Sequence, residues 1–273
     1  MTAPAARDAA ARFRELHREG LLVLPNAWDA GSARLIESLG AKAIATTSAG
    51  VAWSHGYADG DLLPVTLYAA TVAEIARVVS VPVSADIEGG YSGDPASVGE
   101  AVAAVIDAGA VGINLEDGTR APDLLATKIE AAKSAGVRLG VDLFVNARAD
   151  VYLRNLAPAD RRLGETLARA ERYRAAGADG IFVPAVTDAS EIRAIASAVR
   201  LPLNVLARPG LPPAPELERL GVRRLSAGSW IASAALATAA EHATRFLESG
   251  ASEPLTEGAK PYAEINALMS DRR

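Results

Sequence analysis

The chain has no cysteine, only three histidines, and aromatic residues at just 5 % of its 273 positions. The missing cysteine excludes disulfide frameworks, thiolate zinc sites, iron–sulfur clusters and cysteine nucleophiles. With imidazole scarce as well, carboxylates are left as the main metal-ligating side chains. No apolar run approaches the roughly 18 residues that a membrane-spanning helix needs, and the opening residues lack the apolar core of a signal peptide. Charge of one sign is not in excess: 33 acidic against 28 basic residues give a net −5. That balance offers no electrostatic footprint for nucleic acid or anionic membrane. The expected partner is a small molecule and the expected location cytoplasmic. What the chain does have is 50 % apolar residues, 23 glycines and 15 prolines, enough for a substantial core.

Short apolar runs alternate with longer alanine-rich segments of helical period, the pattern of parallel βα units. Strands are predicted at 21–26, 42–47, 82–86, 111–115, 143–148, 179–183, 202–206 and 223–227. Helix punctuation supports them: Asp94 as N-cap with Pro95 behind it, then Val98, Val102, Val105 and Ile106 on one face, and Gly109 at the end. Asp188 with Glu191 reads as a capping-box variant. A weak repeat recurs where a helix closes on glycine and a strand follows at once, at Gly40, Gly109, Gly177 and Gly221. Eight units in a chain of this size fit an α/β fold of the (β/α)8 TIM-type barrel, with one barrel domain over 1–250 and a tail over 251–273 packed on the barrel or a neighbour. No GxGxxG or Walker sequence follows a strand, which argues against a nucleotide-binding open sheet.

In such a barrel the chemistry sits where strands end. Those positions collect Asn26, Trp28 and Asp29; Thr47, Ser48, Ala49, Gly50 and Asp59; Asp86 and Glu88; Asn114, Glu116 and Asp117; Asn146, Arg148 and Asp150; and Asn204. Carboxylates gathered at one mouth repel one another unless a divalent cation neutralises them, and hard oxygen donors suit Mg²⁺ or Mn²⁺. A single strand-end acid is as often a helix cap or half of an ion pair. Asp86 and Glu88, two apart on an extended segment beside Glu116, form a set that points to a metal. Ser48-Ala49-Gly50 reads either as a tight turn or as a loop aiming backbone N–H groups at a substrate carboxylate or oxyanion. Arg148 ends an apolar strand, and its anionic partner is either the carboxylate cluster or the substrate.

Other chemistries find less support. A Schiff-base aldolase needs a lysine at the mouth, whereas Lys42 starts a strand and Lys128, Lys133 and Lys260 fall on helices or in the tail. His17 and His242 read as surface residues of helices, while His55 overhangs the mouth as a weaker acid–base candidate. Gly228-Ser229 could cradle a phosphate, but Ser229 reads more simply as an N-cap.

Leu24-Pro25-Asn26-Ala27-Trp28-Asp29-Ala30-Gly31-Ser32-Ala33, Thr47-Ser48-Ala49-Gly50, Ala85-Asp86-Ile87-Glu88-Gly89-Gly90-Tyr91, Gly112-Ile113-Asn114-Leu115-Glu116-Asp117 and Asn146-Ala147-Arg148-Ala149-Asp150 resemble, in order, the isocitrate lyase/phosphoenolpyruvate mutase superfamily. The resemblance runs from about residue 12 to residue 248. It implies a barrel whose last helix is commonly swapped between subunits, a homodimer or homotetramer, and Mg²⁺-dependent chemistry on an α-keto or α-hydroxy carboxylate through a pyruvate-like enolate. Carried over, it places metal-binding acids at Asp86, Glu88 and Glu116, partly acting through water. An anion-binding turn falls at Ser48, Ala49 and Gly50, a loop aspartate at Asp59 and a substrate-binding arginine at Arg148. Ser48, Asp59 and Arg148 are the catalytic candidates; Trp28, Ala49, Gly50, Asn114 and Asn204 join Ser48 and Arg148 as substrate-binding ones.

Two departures shape the functional expectation. The isocitrate-type lyases carry a Lys-Lys-Cys-Gly-His sequence on a lid after the fourth strand, whereas here Glu116 leads through Asp117-Gly118-Thr119-Arg120-Ala121-Pro122 directly into a helix. The lid's cysteine, and the lysine and asparagine of the mutase branch, are absent. Glutamate at 88, where the family often has aspartate, adds a methylene that a water-mediated ligand tolerates. A lid excludes water, so its loss favours reactions whose enolate takes a proton from solvent. The expectation is a Mg²⁺-dependent carbon–carbon lyase or decarboxylase acting on a small α-keto or α-hydroxy (di)carboxylate. The alternatives are a P–C bond enzyme, of phosphonopyruvate hydrolase or carboxyphosphonoenolpyruvate mutase type, and a non-catalytic barrel that binds an α-keto acid.

Overall fold

The computed structural model describes residues 3–270. Nine short strands run parallel in one sheet: β1 (Leu22–Leu24), β2 (Asn26–Ala27), β3 (Ile44–Thr46), β4 (Val83–Asp86), β5 (Gly112–Glu116), β6 (Phe144–Arg148), β7 (Gly180–Phe182), β8 (Leu203–Leu206) and β9 (Val222–Ser226). The first two are halves of one predicted strand. Pro25, which has no N–H to give a ladder, separates them. β1 pairs with β9 and β2 with β3, so this interrupted strand joins the two ends of the sheet and all but closes an α/β barrel. The other seven predicted strands appear within one or two residues of their expected limits.

The helices between the strands follow the capping chemistry. Asp94 accepts the Ser97 amide at 3.0 Å with Pro95 in the first turn, and Val98, Val102, Val105 and Ile106 are buried. Asp188 accepts the amides of Ser190 and Glu191, so the carboxylate caps without the glutamate answering it. Ser229 makes no side-chain cap to the helix Trp230–Ser249, contrary to expectation. Of that 20-residue helix only Ala232 is buried, while Trp230 is 55 % and Leu247 85 % exposed. The tail folds back on the barrel's outside: Arg34 on the helix Ala30–Ser38 donates to the Leu268 carbonyl at 3.2 Å, and His242 donates to the Pro254 carbonyl at 2.9 Å.

The N-terminal helix Ala3–Glu15 closes the end of the barrel opposite the mouth. Phe13 meets Phe144 edge-on at 5.4 Å and lies over Gly112, both being first residues of their strands. A Cβ at Gly112 would come within 2.6 Å of the Phe13 ring. His17 is not a surface residue: it is buried, stacked on Phe144 at 4.3 Å, and donates Nδ1–H to the Phe13 carbonyl at 2.8 Å. Burial, with the Arg224 cation above it, lowers its pKa to about 3.

Candidate active site

Asp86 and Glu116 end the neighbouring strands β4 and β5, and Glu88 follows two residues after Asp86. The Glu116 amide donates to the Glu88 carbonyl at 2.9 Å, which fixes the two glutamates as neighbours. Burial drives all three carboxyls toward protonation, and their mutual repulsion adds to it. Glu116 rises to about 8 although Arg148 opposes the shift, Glu88 rises to about 7, and Asp86 rises as well. Asp59 stands exposed on the loop after β3, near enough to strengthen that repulsion at Asp86 and Glu88.

Arg148 is opposite Glu116 in the β5–β6 register and forms an ion pair with it. Its Nε and Nη2 fork onto the two oxygens of Asp150 at 2.7 and 3.0 Å, and Phe182 lies 5.8 Å from the guanidinium. Of the two partners open to Arg148 in the sequence, the structure supplies the carboxylates. Asp150 is itself held by Asp117, which accepts the Asp150 amide at 2.9 Å, Arg169 Nη1 at 2.7 Å and the Tyr173 hydroxyl at 2.6 Å.

Glu88 sits in a knot of left-handed backbone. Asp61, Glu88 and Tyr91 have φ of 60°, 52° and 58°, each a conformation that costs a non-glycine residue about 1–3 kcal/mol. Asp61 holds the turn together, accepting the Gly89 and Tyr91 amides at 3.1 and 3.0 Å while its own amide donates to a Glu88 oxygen. A Cβ on Gly89 would lie 2.7 Å from the Asp61 carboxylate and would push it off the amides it holds. From beneath, buried Lys128 donates to the Gly89 carbonyl at 2.5 Å. Sequence reasoning places Lys128 on a helix and passes over Asp61. The helix period puts Lys128 in line with buried Leu125, Ile129 and Ala132, a signal of its inward position.

Ser48, Ala49 and Gly50 are not a loop but the first turn of the helix Ser48–Ser54, capped by Thr47. The Gly50 amide turns to the Thr47 hydroxyl at 3.5 Å and the Ser48 amide to the Asp86 carboxylate, so the protein itself takes up part of this turn's donor capacity. Trp28 is half-buried against it: a Cβ on Gly50 would fall 2.9 Å from Trp28 Cβ and 2.7 Å from Thr47 Cγ2. Asn114 and Asn204 lie one layer below the mouth, in a polar interior built around fully buried Arg224. Asn114 Oδ1 takes Asn146 at 2.9 Å and Arg224 at 3.3 Å, and Asn204 Oδ1 takes the Ser226 hydroxyl at 3.1 Å. His55 is exposed and bonded to Thr71 at 2.8 Å, away from the carboxylates' hydrogen bonds.

Among the described residues no three acidic or imidazole side chains converge closely enough to chelate an ion by themselves. The donor set nonetheless fits a hard divalent cation held largely through water. It is all oxygen, and its carboxyls are crowded enough to resist ionising without a compensating charge.

The phosphoenolpyruvate phosphomutase family model matches residues 13–269. An uncharacterized protein of Mycobacterium tuberculosis H37Rv is 40 % identical over 95 % of this chain and 96 % of its own. A 2,3-dimethylmalate lyase of Eubacterium barkeri is 31 % identical over 69 % of this chain and 67 % of its own, and an oxaloacetate decarboxylase of Pseudomonas entomophila is 30 % identical over 77 % and 75 %. Among solved structures, a Burkholderia cenocepacia J2315 protein provisionally described as a phosphonomutase superposes with a TM-score of 0.83. It is 43 % identical, covering 87 % of this chain and 99 % of that one.

Proposed function

The chain belongs to the phosphoenolpyruvate phosphomutase family, an enzyme among lyases and mutases of small carboxylates, and from that premise we propose that it is a Mg²⁺-dependent carbon–carbon lyase or decarboxylase. Its substrate is a small α-keto or α-hydroxy (di)carboxylate, cleaved to a pyruvate-like enolate; Mn²⁺ is the alternative ion. The observation that carries this reading is the connection after Glu116: only five residues separate it from the helix Pro122–Leu139, too few to build a long lid at this strand end. A site without that lid lets solvent protonate the enolate.

Asp86, Glu88 and Glu116 would hold the cation, which when bound supplies charge stabilisation to the substrate's carboxylate and carbonyl oxygens. The chain's own residues do the rest. Arg148, fixed by its fork on Asp150, keeps Glu116 oriented and places positive charge beside the developing enolate. Trp28 and the turn at Ser48, Ala49 and Gly50 form the wall against which the substrate is set, and Asp59 lies on the open side facing Asp86 and Glu88. With an α-keto dicarboxylate the breaking bond releases carbon dioxide and leaves its electron pair in the pyruvate enolate. With an α-hydroxy substrate the hydroxyl gives up its proton to a base, its oxygen becomes the keto group, and the pair stays on the other carboxylate fragment. In both cases the carbon left with the pair takes a proton from solvent.

A phosphorus–carbon bond enzyme is the second reading, favoured by the phosphonomutase description of the Burkholderia protein. Turnover of oxaloacetate, 2-methylmalate and phosphonopyruvate, read as pyruvate and free phosphate, separates the two. Asp86→Ala and Glu116→Gln abolish pyruvate release on the first reading, and undiminished turnover in both refutes it. A homodimer or homotetramer, residing in the cytoplasm, completes the proposal. The exposed apolar face of Trp230–Ser249 supports the assembly, and no helix of the described residues is long and apolar enough to cross a membrane.

A further inference from the structure

A cavity of about 200 Å³ opens beside the carboxylates, lined among others by Asp61, Glu88, Glu116, Asp117, Arg120 and Arg154. At roughly 30 Å³ per water-sized group it holds about six such groups, the size of a short carboxylate-bearing arm. Its acids and its bases differ in one respect. Every acid already has a partner inside the protein: Asp61 the Gly89 and Tyr91 amides, Glu88 the Asp61 amide, Glu116 the Arg148 guanidinium, and Asp117 the Arg169 and Tyr173 donors. The two arginines are left with unused donors. Among the described residues the Arg120 guanidinium makes no ion pair or hydrogen bond, its residue being held only through the backbone bond from its amide to the Asp117 carbonyl at 2.9 Å. Arg154 reaches Asp150 through Nε at 3.4 Å, which leaves its two terminal nitrogens open on a half-exposed side chain.

We infer that Arg120 and Arg154 recognise a second carboxylate of the substrate, one remote from the atoms held at Asp86, Glu88 and Glu116. A planar guanidinium matches a carboxylate with two parallel N–H donors, and two of them on the loops after the adjacent strands β5 and β6 frame one anion from two directions. They stand on the mouth beside Glu116 and Arg148, so an arm bound there keeps its other end at the proposed reaction site. The site is thereby selective for dicarboxylates over monocarboxylates of the same α-substituted head. The inference rests on the proposed lyase reading but concerns recognition alone.

Malate and lactate share a 2-hydroxy acid head and differ in the second carboxylate, which makes them suitable probes for titration calorimetry with Mg²⁺ present. The wild-type protein binds malate more tightly than lactate. Arg120→Gln and Arg154→Gln each weaken malate about tenfold, as expected for losing one charged hydrogen-bonding partner, and leave lactate unchanged. The double variant binds both alike, and Arg→Lys at either position recovers part of the loss. Equal weakening of both ligands, or a malate preference that survives in the double variant, overturns the inference. If this discrimination is found while none of oxaloacetate, 2-methylmalate or phosphonopyruvate is turned over, the lyase reading fails and the recognition site stands. If dicarboxylate substrates are turned over with KM unaffected by either arginine substitution, the lyase reading stands and the recognition site fails.

Discussion

Asp117 touches neither the mouth nor the cavity's open arginines through its carboxylate, yet three donors converge on that group from two elements, and the arrangement of Arg148 depends on it. Replacing it with alanine removes bonds of 2.6, 2.7 and 2.9 Å at once. Breaking a buried ion pair by deleting one partner costs about 3–5 kcal/mol, and a buried backbone N–H left without an acceptor costs about 1–3 kcal/mol more. Arg169 keeps its bond to Glu165 at 2.7 Å, so the lower part of that range applies and the loss is about 4 kcal/mol. Against a typical total of about 5–15 kcal/mol, the variant folds but with little reserve. Asp117→Asn retains the shape and some acceptor capacity and loses about 2 kcal/mol. Urea unfolding of the three proteins at neutral pH, with comparable slopes, reads these differences directly. Combining Asp117→Asn with Arg169→Met removes both charges and recovers stability relative to Asp117→Asn alone, because the arginine is then no longer buried without its counter-charge. If Asp117→Ala lies within about 1 kcal/mol of wild type, a loss no larger than one ordinary hydrogen bond, or if the double variant is the sum of its singles, the carboxylate does not anchor Asp150 and Arg148.

Three further outcomes follow from the geometry. His17 is held neutral by burial and titrates near 3 when folded against about 6.5 when unfolded, so the unfolded chain takes up the proton first and stability falls as pH drops below about 6.5. Between pH 7.5 and 5.0 this one group removes about 2 kcal/mol; urea titrations of wild type and His17→Phe at both values should differ by that amount in their pH response, and equal responses would contradict the assignment. Gly50→Ala forces a Cβ against Thr47 and Trp28, costing about 1–3 kcal/mol and raising KM for any carboxylate substrate, to be checked by steady-state kinetics; unchanged KM removes the turn from the binding wall. Glu88 and Glu116 have folded pKa values raised from the usual 4.5 to about 7 and 8, so the metal-free protein is favoured by their protonation and loses that stability as pH rises from the unfolded carboxyl range up through those folded values. Thermal melts should show Mg²⁺ stabilising more at pH 8.5 than at pH 6.0, and a pH-independent increment would count against these acids as its ligands.

Much of the fold is legible in the sequence because barrel strands are buried on both faces and helices end on glycine. Those local signals mark each strand within one or two residues and set Asp86, Glu88 and Glu116 at adjacent strand ends. What is not legible depends on pairs distant in sequence. His17 reads as a polar residue near a helix end, and only the arrival of Phe144 and Arg224 makes it an interior one. Arg224 alternates correctly with Val222 and Ser226 as an inward residue of β9, but a cation in a barrel core runs against every burial expectation. The first turn at Ser48 reads as a loop because glycine at 50 suggests a turn. The crowding around Gly50 gives the glycine another purpose, since no side chain fits between Thr47 and Trp28. Asp61 escapes notice since its partners, Gly89 and Tyr91, lie 28 and 30 positions away.

The break at Pro25 governs the order in which the molecule can be completed. β1 finds its neighbour in β9, at register Leu22 with Arg224, so the ring stays open until nearly the whole chain exists. Joining segments some two hundred residues apart carries a closure entropy of about 5 kcal/mol beyond the constant term if nothing between them is yet ordered, and far less once the intervening units have stacked. The β1–β9 seam on the N-terminal side of Pro25 is therefore the last joint to form as the protein leaves the ribosome and the first to part under denaturing stress, whereas β2 on its other side pairs locally with β3. Amide exchange in Leu22–Leu24 would precede that of β5 and β6 in the far wall.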